Sequence, residues 1–262
     1  MPDTVDWPEL AAWYDAKMGE EGDLWHRELI DPPLIALVGD VRGRRILDLA
    51  CGNGYLARRF ARGGATVVGA DRSGPIIELA RARERADPLG VDYEVVDAGS
   101  MPMLGTAGFD LVYSNMALMD MPDVVAPFRE VARVLRPGGR FVASLGHPCF
   151  DVPGASSWLW ERKEFVTSVS RRVGRYREPF EASVPWVVPD RPEFATRAYH
   201  RPLSWYVREL ALAGFAVIAM EEPDGTPAFL SANPQREAIR EVPLHLVFAA
   251  VRQPSEFVGA SR

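Results

Sequence analysis

The sequence predicts an α/β fold: one open, doubly wound sheet of seven strands, mostly parallel, with an antiparallel last strand. Two observations carry this expectation. Across residues 44–146 short apolar runs alternate with helical periods through brief connections, a rhythm that yields right-handed crossovers and a parallel sheet. Beyond residue 201 a helix is followed by two strands with no convincing helix between them, which pairs those strands antiparallel. At 262 residues, 47% hydrophobic and 25% charged, the chain is long enough for one large domain with a sizeable core.

Each element follows in order. Residues 1–40 read as a helical cover that includes the amphipathic "WYDAKM". "RRILDLA" (44–50) is a buried strand, and "YLARRFARGG" (55–64) a helix closed by Gly63 and Gly64. "TVVGAD" (66–71) is a second strand, and "PIIELARARERA" (75–86) a helix with proline in its first turn. "VDYEVVD" (91–97) and "FDLVYSN" (109–115) are further strands flanking a turn-rich loop. "VVAPFREVARVL" (124–135) is a helix that Pro127 obliges to start near its own position, and "RPGG" turns the chain into the strand "RFVASLG" (140–146). Residues 148–200 are rich in Pro, Trp and Arg without a clean period. So long a stretch in a compact domain implies a lid or substrate-binding insertion. A helix (202–214), a strand (215–223), a polar loop (224–241), the last strand (242–253) and a fraying tail (254–262) complete the chain. The single domain thus divides into a cover (1–40), a core (41–147 and 201–253) and an insertion (148–200).

A net charge of −6 with no basic stripe argues against nucleic acid as a partner. The start lacks the layout of a signal peptide and no apolar stretch is long enough to span a bilayer, so a cytoplasmic protein with no membrane attachment is expected. Cys51 and Cys149 lie far apart, with no Cys or His at metal-ligand spacing. Two free thiols and no metal follow.

The chemistry starts from "ILDLACGNGYLARRF" (46–60). Gly52, Gly54 and Ala57 fit a dinucleotide turn, where backbone N–H groups and the helix N-terminus favour phosphate. Asp48, just upstream, argues the other way. Across ~4 Å, opposite unit charges attract by about 4 kcal/mol at an effective dielectric near 20, and like charges repel as much. The site therefore favours a cation, and S-adenosylmethionine carries an ammonium and a sulfonium without phosphate. In a parallel sheet the ligand sits at the carboxyl ends of the strands. Asp71, ending the second strand, can accept both ribose hydroxyls, and Asp97, ending the third, can accept from the adenine amino group beside the Ala98 N–H. Singly, these residues also read as packing glycines and capping aspartates.

"ILDLACGNG", "VVGAD", "VVDAGSMP", "FDLVYSN" and "VLRPGGRF", in this order and spacing, resemble the class I S-adenosylmethionine-dependent methyltransferases, a Rossmann-like family. Alanine stands at position 50, where the family's turn has a further glycine. The resemblance implies that Asp48, Ala50, Gly52, Asn53, Gly54, Asp71, Arg72, Asp97, Ala98, Asn115 and Met116 hold S-adenosylmethionine, with S-adenosylhomocysteine as product. "WYDAKMGEEGDLWHREL" and "LGHPCF" also resemble a bacterial subgroup of that family. Arg27 can hold the methionyl carboxylate, and Tyr14 and His26 can close over cofactor or substrate, or simply pack on the core.

His147, after the fifth strand, is the candidate general base, since an unperturbed imidazole titrates near pH ~6.5. His200 can assist from the insertion, whose aromatics Phe150, Trp158, Trp160, Phe165, Tyr176, Phe180, Trp186 and Tyr199 can wall an apolar pocket or form the insertion's own core. Of these, His26, Trp158, Tyr199 and His200 are the candidate substrate contacts. The expected function is methyl transfer to an oxygen, nitrogen or carbon nucleophile of a small, partly apolar molecule, by a monomer or homodimer. A non-catalytic S-adenosylmethionine-binding protein and a nicotinamide-dependent oxidoreductase are the alternatives.

Overall fold

The computed structural model describes residues 3–163, 166–186 and 194–254. A short strand β1 (Asp3–Thr4) leads through a 3₁₀ turn into helix α1 (Ala11–Met18). A π-helical turn (His26–Ile30) runs straight into α2 (Asp31–Val38). Strand and helix then alternate: β2 (Arg45–Leu49), α3 (Tyr55–Arg62), β3 (Thr66–Asp71), α4 (Gly74–Ala86), β4 (Asp92–Val95) and β5 (Phe109–Asn115). Helix α5 (Val125–Val134) keeps Pro127 in its first turn, where a missing N–H costs no helical bond. After β6 (Leu135–Gly146) come β7 (Ser156–Lys163), β8 (Val166–Val173), β9 (Phe180–Trp186) and β10 (Phe194–His200). Helix α6 (Leu203–Leu212), β11 (Phe215–Glu221), the short helices α7 (Pro227–Leu230) and α8 (Pro234–Glu237), and β12 (His245–Arg252) close the domain.

The main sheet has the order β11-β12-β6-β5-β2-β3-β4. Six strands run one way, and β12 runs antiparallel to both of its neighbours. Strand β2 pairs with β3 on one side and β5 on the other. The crossovers diverge there, which places the switch point, and the crevice it opens, at the carboxyl end of β2. Helices cover both faces. Phe128, Phe141 and Phe248 centre one apolar layer, and Leu34, Phe60 and Tyr113 the other. Beyond the exposed Arg45, β2 is buried and reads as an apolar run interrupted only by Asp48.

Four sequence expectations change. Among the described residues of 148–200 there are four strands: β7 pairs antiparallel with β8, and β9 pairs antiparallel with β10. On β9 alternate residues are half-buried and exposed, but the half-buried set mixes Phe180, Ala182, Val184 and Trp186 with Pro185 between, so the period is diluted. The helical cover also contributes a strand, since β1 joins β10 in parallel. The loop at 224–241 contains α7 and α8, and the last strand begins at His245. "RPGG" makes its turn inside β6, as an irregularity where Phe109 faces Leu135 and Leu111 already faces Arg140. The tail from residue 255 and Phe165 lie outside the described residues. Among the described residues, no helix is long and apolar enough to cross a membrane.

Candidate active site

The loop after β2 is shaped by three left-handed residues: Ala50 (φ 59°), Gly52 (φ 55°) and Gly54 (φ 77°). Alanine at such a φ carries strain of ~1 kcal/mol that glycine would not. The loop is pinned to β3 twice, because Cys51 N–H donates to Ala70 O (3.0 Å) and Gly52 N–H donates to Asp71 Oδ2 (2.9 Å). The other Asp71 oxygen accepts from Ser73 N–H at 2.9 Å. Burial pushes the Asp71 carboxyl upward despite these donors.

Two cavities meet over this loop. The first, about 230 Å³, is lined among others by Tyr14, Ala50, Gly52, Asp71, Arg72, Asp97, Ala98, Asn115 and Met116. All nine were expected at the cofactor. Asn115 is fixed by donating to Asp31 Oδ1 and the Tyr55 hydroxyl, both at 2.9 Å. The second cavity, about 260 Å³, lies beneath α1 and the β9–β10 hairpin and includes His26, Tyr199 and His200. Trp7, Tyr14, Met116 and Asp120 line both cavities. The junction between them is therefore walled by two aromatic rings, a methionine and a carboxyl group.

Four expected cofactor residues are not in the first cavity. Asp48 is only 3% exposed and lies beneath the loop, beside the Ala57 N–H and the Tyr113 hydroxyl. Burial pushes its carboxyl up to about 8, against those two groups. It lies under the floor and lines neither cavity. Asn53 is turned inward too, donating to Gly19 O (2.9 Å) and Asp15 Oδ1 (3.1 Å). Gly54 packs under Tyr93, and Arg27 borders a separate shallow depression formed by residues 17–27.

The buried Asp48 has a stability consequence. The folded chain holds this proton up to about pH 8, whereas the unfolded chain releases it near pH ~4. Between those values the folded state binds more protons, so stability falls as pH rises. Asp48→Asn is expected to exceed the parent in stability by ~2 kcal/mol or more at pH 8 and by little at pH 4. Urea denaturation at both pH values measures this, and a difference that does not grow with pH overturns it.

His147, the base the sequence suggests, stands apart from both cavities. It is 2% exposed and lines neither cavity. Its Nδ1 accepts the Cys149 N–H (3.1 Å), which puts the proton on Nε2, and Nε2 donates to Glu222 Oε1 at 2.8 Å. No lone pair is left for a substrate. Trp158 sits on the outer β7–β8 hairpin under the Arg171 guanidinium, 5.0 Å from its ring centre, away from both cavities. Of the insertion aromatics, Trp186 and Tyr199 line the second cavity, while Phe150 and Phe180 pack against His147 and His200.

The sequence reading missed Asp120, Trp7 and Arg201. Asp120 sits in the 3₁₀ turn after β5, and burial pushes its carboxyl up to about 8 although Arg72 opposes this. The strand-end rule would have reached it if applied five residues beyond Asn115. Arg201 donates to Met121 O (2.8 Å) and Pro122 O (2.7 Å), tying the insertion to the loop after β5.

Comparison with known proteins agrees with this architecture. A family model described as a methyltransferase domain matches residues 47–143. A solved S-adenosylmethionine-dependent methyltransferase from Mesorhizobium loti superposes with a TM-score of 0.69 and 31% identity, over 84% of this chain and 96% of that one. The fold is shared as well with a putative S-adenosylmethionine-dependent methyltransferase from Listeria monocytogenes (TM-score 0.67, 24% identity, 85% of this chain and 96% of that one). A ubiquinone biosynthesis O-methyltransferase of Xanthomonas oryzae pv. oryzae is 32% identical over 132 residues, which is 50% of this chain and 55% of that protein. The chain thus spans about half the length of such curated relatives. It belongs to the S-adenosylmethionine-dependent methyltransferases.

Proposed function

We propose that the chain transfers the methyl group of S-adenosylmethionine to an oxygen, nitrogen or carbon nucleophile of a small, partly apolar acceptor. The observation that carries this reading is the pair of joined cavities, one at the switch point and one beneath the cover, sharing Trp7, Tyr14, Met116 and Asp120. A donor and an acceptor site must meet in this way for an in-line transfer. The name of the Xanthomonas relative supports oxygen as the nucleophile.

The residues suit the cofactor. A Cβ at Gly52 would stand 2.9 Å from Tyr14 Cε1, so the loop is bare where the ring covers it. Asp71 would take the ribose, Asp97 and Ala98 the adenine, and Asn115 and Met116 the inner wall. Bound there, S-adenosylmethionine supplies a methyl group already activated by its positive sulfur. The chain's share is alignment, which can contribute ~7–11 kcal/mol in favourable cases, and exclusion of water. Tyr14 and Trp7, edge to face at 5.6 Å, form the wall common to both ligands. In this reading α1 and the β9–β10 hairpin are the cover over the acceptor. Trp13, Trp186 and Tyr199 give it apolar walls, while Arg201 and His200 give it polar ones.

Calorimetric titration with S-adenosylmethionine, S-adenosylhomocysteine and NAD tests the reading. Micromolar binding of the first two and none of NAD is expected, and NAD binding alone overturns it. The pH dependence is part of the same result. Below about pH 8 Asp120 holds a proton, and a cation arriving beside it favours the carboxylate. S-adenosylmethionine affinity therefore rises with pH through about 8, with proton release. The neutral sulfur of S-adenosylhomocysteine produces less of this effect, and Asp120→Asn abolishes it. Binding without consumption in the presence of phenols and amines would leave a ligand-binding protein instead of an enzyme.

A further inference from the structure

We propose that His26, held by Asp23, is the general base that takes the acceptor's proton. The inference rests on the methyl-transfer reading above. With His147 sealed by Cys149 and Glu222, the reaction needs another proton acceptor at the second cavity whenever the nucleophile is an un-ionised hydroxyl or amine.

The geometry singles out His26. Its Nδ1 lies 2.7 Å from Asp23 Oδ1, and the same oxygen accepts its backbone N–H at 3.0 Å. A carboxylate partner fixes the proton on Nδ1, which leaves the Nε2 lone pair unprotonated. Nε2 has no hydrogen-bond partner among the described residues and is not sealed from solvent, and the ring lines the acceptor cavity. Asp23 is itself anchored, because Lys17 Nζ donates to its other oxygen at 2.6 Å. Burial pushes the Asp23 carboxyl up, but the hydrogen bonds from His26 and Lys17 outweigh that and hold it well below the usual carboxylate range. The carboxylate is thus ionised whenever His26 must become positive.

Tyr55, edge-on to the His26 ring at 6.1 Å, is kept neutral by burial. Lys17 of α1 spends its charge on Asp23. Asp31, at the start of α2, adds a second acid that attracts an imidazolium, although burial raises its own carboxyl and the Tyr55 hydroxyl and Asn115 share it. His245 of β12 is pushed down to about 4 by burial and stays neutral. The rivals lack this support. His200 donates Nε2–H to Tyr176 O (2.8 Å), and burial, then Arg175 and Arg201, pushes it toward the neutral form although the Tyr176 carbonyl opposes this. Asp120 already holds its proton at neutral pH.

The step balances as follows. The acceptor's O–H or N–H bond breaks, its proton going to His26 Nε2, while the heteroatom's pair forms the bond to the methyl carbon. The C–S bond breaks with its pair on sulfur, and the positive charge passes from sulfur to the imidazolium.

Two readouts test this. The chain has only four histidines, so ¹⁵N-histidine NMR of the full chain without ligands resolves each ring. Wild-type His26 is expected as the Nδ1–H tautomer, and Asp23→Asn should lose that preference. A wild-type Nε2–H tautomer overturns the proposal whatever the activity. The second readout is S-adenosylhomocysteine release with phenols of graded acidity. His26→Gln should lose ~10²–10³-fold in kcat on a phenol un-ionised at the assay pH, with KM changed little. On a phenol already ionised it should lose less than tenfold, and S-adenosylmethionine affinity should be unchanged. Equal losses on both phenols overturn the base assignment in favour of positioning. If no phenol is turned over, the NMR result alone decides. Failure to bind S-adenosylmethionine at all instead sinks the methyl-transfer reading and leaves the tautomer result standing.

Discussion

Asp71→Ala raises the dissociation constant for S-adenosylmethionine by at least ~100-fold, equivalent to about 2.7 kcal/mol, while the protein stays folded. Two losses add. The carboxylate that faces the first cavity is gone, and a charge-assisted hydrogen bond to a ligand hydroxyl is worth ~1.5–3 kcal/mol. The Gly52 and Ser73 N–H groups also lose their acceptor, so the loop after β2 keeps only the Cys51 N–H bond to Ala70 O of its two ties to β3. Asp71→Asn keeps an oxygen for one of these donors and should fall between the two. Calorimetry gives the affinities and circular dichroism the fold. An alanine variant that binds within threefold of the parent would show that the ribose is held elsewhere.

Gly54→Ala should lower stability by about 3–5 kcal/mol, a drop of ~8–15 °C in melting temperature for a domain of this size. At φ 77° an alanine is strained on its own account. The larger part is overlap. A Cβ at Gly54 would stand 2.7 Å from both Cε1 and Cζ of Tyr93, with the hydroxyl closer still. The same ring edge also packs on Gly69, where a Cβ would stand 2.7 Å from Cδ1, and Tyr93 is itself buried. Overpacking of a closed core costs ~1–3 kcal/mol or more. Adding Tyr93→Leu should recover part of the loss. A melting temperature within two degrees of the parent would mean that β4 slides to make room, contrary to this account.

Most of the core was legible because its signals are local. Strands buried on two faces read as apolar runs, and glycines mark the turns between them. Asp71 and Asn115 end strands and Asp97 lies two residues past one, and in a parallel sheet that position sends all three to the crevice. Two other classes of residue were not legible. The first is orientation: Asp48 stands in the apolar run just before the loop, but its side chain is buried beside the Ala57 N–H of α3 and lines neither cavity. Sequence gives position along a strand, and the face depends on register. The second is pairing across distance. His147 looks free until Glu222, 75 residues on, is seen to hold it. The second cavity is the extreme case, since α1 and the β9–β10 pair above it are joined by contacts with no local pattern.

One of those contacts reaches further. Val5 N–H donates to Ala195 O at 2.9 Å, and β1 lies in parallel register with β10 through Asp3–Phe194 and Thr4–Ala195. Trp13 of α1 then rests edge-on against Trp186 and Phe194, 5.5 and 5.2 Å away. The two flaps of chain above the crevice are therefore sewn along one seam. Movement of either flap over the second cavity therefore pulls on the other, although the two are chain segments nearly two hundred residues apart in sequence.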